Sequence, residues 1–163
     1  GRLDGRLTAA GDGSPAAECP EFDPSLTAIR PPYTSAMNQY ARQELGFETD
    51  FEYFALGGGI TSPWDFHVAS MPGGQGYADT SIALGEALAR NPYMKVFVAQ
   101  GYYDLATPFE AATYTIHHMD LDERLRANIR FATYESGHMM YIHEASLTKL
   151  KKDADEFYAS ALR

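Results

Sequence analysis

The pattern of hydrophobic and polar positions divides the chain into two halves of different character. From Gly1 to about residue 32, Gly, Pro, Ala and Asp dominate ("AAGDGSPAAECPEFDPS"), which reads as loop or extended segment. From Thr34 a helical period sets in, with Met37, Tyr40, Ala41 and Leu45 on one stripe and Gly46 as its stop. "DFEYFAL" at 50–56 is aromatic and partly alternating, and predicts a short strand. "GGGITSPWDF" and "MPGGQGY" then read as loops.

The second half is more regular. "DTSIALGEALARNP" predicts a helix that Asp79 or Thr80 caps and Asn91-Pro92 ends. "YMKVFVAQG" is an apolar run of strand length stopped by Gly101. In "ATPFEAATYTIHHM", Thr107 as N-cap, Pro108 at the first helical position and Glu110 three after the cap predict a capping box. "NIRFATY" predicts a second strand, stopped at the Gly137 turn. Leu147, Leu150, Ala154, Phe157 and Ala161 form the stripe of an amphipathic closing helix. Helix, strand, helix, strand, helix implies a parallel pair of strands with helices on their faces, an α/β arrangement.

Composition narrows the function classes. The chain has 163 residues and a formal net charge of −9. Nucleic-acid binding needs clustered Lys and Arg, and attraction to an anionic membrane needs the same, so neither partner is expected. The acidity itself is what solubility requires. Cys19 stands alone, so no disulfide closes within the chain and no cysteine-based zinc site is available. No apolar run approaches the roughly 20 residues that span a bilayer. Gly1 rather than Met opens the chain, as expected of a processed product or a piece of something longer.

Two polar residues stand out on this frame. Asp104 lies just past the first predicted strand and Gly101, and His138 just past the second and Gly137. Both therefore sit at the carboxyl ends of their strands, the edge where open parallel sheets bind ligands. They are separated by 34 positions, close to one βαβ unit. Neighbouring strands lie about 4.8 Å apart, so the carboxylate after one can reach the imidazole after the next. That is the acid–base half of a nucleophilic triad, and the order acid, then histidine, is the order in α/β-hydrolases. Each residue also has a plain structural reading. An Asp after a strand and a glycine is often a turn or cap residue, and a His among tyrosines often packs in a core.

Other candidates carry less. His117 and His118 are adjacent near a helix end, about 100° apart, which does not suit a shared metal and does suit a helix C-terminus. His138, His143 and Glu144 do not match the i, i+4 spacing of a helical zinc site. The glycines at 57–59 and 72–76 lack a phosphate-binding Lys and the strand–helix setting. Trp64, Phe66, Tyr102 and Tyr103 are candidates for a pocket lining, but core packing is the default reading. No metal and no cofactor is expected.

A triad also needs a serine on a strand-to-helix elbow, usually G-x-S-x-G, and no serine in the chain has that setting. Ser136 beside Gly137 belongs to the histidine turn.

"VFVAQGYYDLATPFEAATYTIHHM", "YESGHMMY" and "KLKKDADEFY" resemble the C-terminal part of the serine carboxypeptidase family, α/β-hydrolase-fold peptidases. "GRLDGRL" and "PWDF" are similar to the preceding segment of bacterial members. The resemblance is most specific from Tyr93 to Tyr158. It implies that Asp104 is the triad acid, His138 the triad histidine and Met139 a substrate-side residue near the leaving group. It implies a C-terminal portion of the hydrolase core at 77–163, preceded by insertion, lid or connecting sequence at 1–76. The implied activity is removal of C-terminal residues from peptides, with an acyltransferase or esterase on the same scaffold, or a non-catalytic binding module, as alternatives. The nucleophile, the oxyanion-hole donors and the groups that grip the substrate carboxylate are expected on sequence outside this chain. Alone, the chain is expected to be inactive, and to pair with the remainder of the protein or with a second copy or else be only partly folded, because two strands leave open edges. The family is commonly exported or lysosomal, and a single cysteine suits a bacterial member, so a periplasmic or secreted location is expected.

Overall fold

Two six-residue strands, β1 (Val96–Gly101) and β2 (Ile129–Tyr134), carry the frame of the site. The structure is a computed structural model, and it describes residues 1–10, 22–51, 53–55 and 79–162. The strands pair in parallel, in a register that runs from Val96 opposite Ile129 to Gly101 opposite Tyr134. Both fall where apolar runs of strand length predict them. No helix among the described residues is long and apolar enough to cross a membrane.

Parallel strands need a crossover, and here it is helical. The described helices are α1 (Pro24–Gln39), α2 (Ser81–Arg90), α3 (Phe109–His117), α4 (Glu123–Arg126) and α5 (Glu144–Ala161). A π-helix at Tyr40–Glu44 extends α1, and a 3-10 turn at Met140–Ile142 precedes α5. Successive strand side chains point to opposite faces of the sheet. On one face, Gln100 donates to Phe109 O at 2.7 Å and to Thr113 Oγ1 at 3.2 Å, and Phe131 meets His117 edge-on, so α3 covers that face. On the other, Phe97 stacks on Phe157 with ring centroids 5.4 Å apart, and the Tyr134 hydroxyl donates to Asp153, so α5 covers it. This is a small parallel two-stranded sheet flanked by helices, an α/β arrangement.

Within the described residues, 1–2, 7–10, 22–51 and 53–55 belong to one packed unit, and 3–6 with 79–162 to another. The expected boundary at 76/77 lies outside the described residues, as do Cys19, Trp64, Phe66 and the glycine stretches at 57–59 and 72–76. The core of the second unit is built on Leu88, Ile116, Met119 and Tyr134. Full burial of a side chain such as Leu88 contributes about 1.5–3 kcal/mol.

Local chemistry explains most element ends. The Asp79 carboxylate accepts the Ser81 N–H at 2.9 Å and opens α2, while Thr80 makes no side-chain cap bond. Asn91 leaves the helical region because Pro92 follows it. The closing helix turns its expected stripe inward at its centre, where Leu150, Ala154 and Phe157 are half-buried. Leu147 and Ala161 at its ends are exposed, and Ser146 and Asp153 are buried beside the stripe.

Three expectations are corrected. Helix α1 begins at Pro24, ten positions before Thr34, because Asp23 caps it: its Oδ1 accepts the N–H groups of Ser25 (2.7 Å) and Leu26 (3.2 Å), and Pro24 takes the first helical position. The helix then continues through Pro31 and Pro32, which the breaker rule does not anticipate. The strand expected in "DFEYFAL" is absent among its described residues 50, 51 and 53–55. The capping box at Thr107 does not form, because that hydroxyl is engaged elsewhere and α3 starts at Phe109 with Pro108 before it. Gly46 does stop its helix, at φ +63°, a conformation that suits glycine.

Candidate active site

The strand ladder does not end with the strands. Tyr102 N–H donates to Tyr134 O and Tyr103 N–H donates to Ser136 O, both at 3.0 Å, so the two chains stay side by side as they leave the sheet. Glycine makes this approach possible. A Cβ on Gly101 would stand 2.2 Å from Gly137 O, and one on Gly137 would stand 2.2 Å from Leu3 O. Neither glycine has positive φ among the described backbone, so closeness rather than conformation demands them.

This rim brings Asp104 and His138 together. Asp104 Oδ2 lies 2.8 Å from His138 Nδ1. The same oxygen accepts the Thr107 hydroxyl at 2.6 Å, and Thr107 Oγ1 is 3.2 Å from His138 Nδ1. Asp104 Oδ1 accepts the N–H groups of Ala106 (2.8 Å) and Thr107 (2.9 Å). Four donors therefore meet a carboxylate that has about four acceptor positions. Burial works against its charge, but donation from the Thr107 hydroxyl and amide, His138 and the Ala106 amide outweighs that and holds the carboxyl below its usual range. At neutral pH Asp104 is ionised and only accepts hydrogen bonds. His138 Nδ1 must then carry the proton, which in the neutral ring leaves the lone pair on Nε2.

Exposure separates the two partners. The Asp104 side chain is 5% accessible and that of His138 is 44%. Nε2 has no hydrogen-bond partner among the described residues. The arrangement can hold one tautomer of an exposed imidazole, stabilise its protonated form, and offer Nε2 as a base.

The remaining candidates sit apart from this pair. Met139 follows His138, is half-buried, and accepts the Ile142 N–H on its carbonyl at 3.1 Å. His117 packs against Phe131, while His118 stacks on Tyr114 and its Nδ1 lies 2.8 Å from Tyr114 O. His143 Nδ1 contacts Ser146 Oγ at 2.8 Å, at the start of α5. Tyr102 is about half exposed and packs edge-on against Phe109, and Tyr103 lies under the Arg6 guanidinium.

Sequence reasoning missed two contributors. In the sequence Thr107 reads as a helix cap, yet the spacing D-x-x-T from Asp104 is itself a cap-like pattern that signals the bond. Leu3–Arg6 reads as loop, and no local signal marks its contact with the histidine turn: His138 N–H donates to Leu3 O at 2.7 Å.

Comparison with known proteins adds no relative: no protein-family model, no curated protein and no solved structure matches the chain.

Proposed function

We propose that this chain is the C-terminal part of a serine carboxypeptidase-like hydrolase and supplies the acid and histidine of its triad. The observation that carries the reading is the 2.8 Å contact between a buried, ionised Asp104 and a half-exposed His138 past the carboxyl ends of two parallel strands. In this reading His138 Nε2 takes the proton of a serine hydroxyl as it attacks the scissile carbonyl, and then gives it to the leaving amine. Asp104 holds the ring and stabilises the imidazolium formed between those steps. Met139 borders the leaving group. The serine, with its oxyanion-hole donors, comes from sequence outside these residues, within an α/β-hydrolase fold completed by further strands. The expected substrate is a peptide, shortened from its C-terminus.

One other reading has direct support. The two amide bonds to Asp104 Oδ1 are those of a turn residue, so the pair could serve structure alone in a non-catalytic module. The discriminating experiment is His138→Ala in the intact protein, assayed on a blocked dipeptide and on a simple ester. The hydrolase reading expects turnover to fall by about 10⁴ or more. Retained turnover would overturn it, and loss on the ester with no peptide cleavage at all in the parent would mark an esterase or acyltransferase instead.

A further inference from the structure

The histidine turn has no regular structure of its own. Residues 135–139 lie between β2 and the 3-10 turn, where only part of their backbone is satisfied nearby: Ser136 N–H donates to Tyr134 O, Ser136 O accepts the Tyr103 N–H and Met139 O accepts the Ile142 N–H. A segment more than a hundred positions earlier supplies further partners. Leu3 O accepts the His138 N–H at 2.7 Å, and Asp4 packs against Gly137, where an added Cβ would stand 2.7 Å from the Asp4 Cβ. Arg6 Nη1 donates to Glu135 O at 3.2 Å. The same segment reaches the aspartate loop: Gly5 N–H donates to Tyr103 O at 2.8 Å, and the Arg6 guanidinium lies 4.4 Å from the Tyr103 ring centroid.

We propose that Leu3–Arg6 is a positioning clasp for the candidate active site, in which Asp4 and Arg6 set the backbone of the His138 turn against that of the Asp104 loop. The His138 amide, the Glu135 carbonyl and the Tyr103 carbonyl next to Asp104 are all tied to these four residues. Arg6 keeps the clasp rigid, since it grips Asp4 with Nε on Oδ1 (3.0 Å) and Nη2 on Oδ2 (2.6 Å), and its own N–H donates to Oδ1 at 3.0 Å. Charged, two-point pairing of this kind fixes direction as well as distance. Gly137 belongs to the device, because a Cβ there would strike Leu3 O and the Asp4 Cβ. Asp4 and Arg6 act through the backbone and touch no reacting atom. The clasp is a statement about geometry, and it rests on the hydrolase reading only for its consequence in turnover.

The test is NMR of the 163-residue chain with Asp4→Ala, which removes the carboxylate that holds Arg6. The clasp predicts amide hydrogen exchange at His138 faster by roughly tenfold, with Val98 and Phe131 inside the strands unchanged. The downfield His138 Nδ1–H signal should broaden in the same variant. Asp4→Asn, which retains a carbonyl acceptor, should recover most of the protection. Should Asp4→Ala not fold, Arg6→Gln gives the same comparison at His138. Unchanged exchange in the turn, or an equal rise at Val98 and Phe131, would overturn the clasp. A parent chain with no Nδ1–H signal at all would instead count against the Asp104–His138 pair, so the two ideas fail separately.

Discussion

Residues 22–55 and residues 79–162 are held together in different ways. In the first region only Ser25 is buried among the described residues, and Phe22, Phe47, Phe51 and Phe54 stand largely exposed. Its long helix is organised by a local device, Asp23 capping the amides that follow it. In the second region Leu88 and Tyr134 are almost wholly buried, and bonds between residues far apart in sequence join both strands to α3 and α5. The difference teaches where a chemical site can be specified. Local capping fixes a helix start and nothing beyond it, whereas a paired sheet rim fixes two side chains 34 residues apart to hydrogen-bonding distance.

Breaking the rim should produce the largest effect. Gly101→Val places side-chain atoms against the Gly137 and Ser136 carbonyls and should destabilise the second region by about 3 kcal/mol or more, read by chemical denaturation. If stability is unchanged, the close approach of the two loops is not a constraint.

A milder change sharpens the comparison. Thr107→Val keeps the shape and removes the hydroxyl bond to Asp104, at a cost of about 1–3 kcal/mol. It also changes the acid limb. The folded pKa of Asp104 is lowered, so the unfolded chain binds more protons. Its stabilisation is therefore present above the ordinary carboxyl pKa of about 3.9 and is lost as pH falls through the folded value. Asp153, held low chiefly by the Lys149 ammonium, acts in the same direction. Without the Thr107 hydroxyl the folded value moves back toward the ordinary one, so the loss should be smaller and complete at higher pH in stability-versus-pH curves, and identical acid limbs for the two proteins would contradict the bonding described.

The smallest effect belongs to the first region. Asp23 is held down to about 2, because its bonds from Ser25, Arg2 and Leu26 outweigh the cost of its burial. Asp23→Ala should cost about 1 kcal/mol, seen as fraying of α1 by circular dichroism, with no change at the Asp104–His138 rim. A shift of the His138 ring signals in that variant would show that the two regions are not independently specified.

Legibility in the sequence follows the same division. The strands, α2, α3 and α5 were readable because apolar period and Gly or Pro punctuation report burial directly. Placing Asp104 and His138 after neighbouring strands needed only the parallel pairing, so their contact could be anticipated. The early start of α1 is hidden by the Gly-, Pro- and Ala-rich composition of residues 1–32, which reads as loop whatever a single cap residue such as Asp23 does. Thr107 was misassigned because T-P-x-E satisfies the capping-box pattern while the nearby carboxylate offers its hydroxyl a stronger acceptor. The contact of Leu3–Arg6 with the histidine turn has no periodicity at all. It is a matter of backbone groups meeting across the chain, which composition and spacing do not report.

The central claim is that an ionised Asp104 accepts the Nδ1 proton of His138 and leaves Nε2 as the base. Nitrogen NMR of the neutral imidazole reads the tautomer directly. The account predicts protonated Nδ1 and bare Nε2 in the parent chain, and loss of that preference in Asp104→Asn. A parent ring protonated at Nε2, or one indifferent to the Asp104 change, would contradict it.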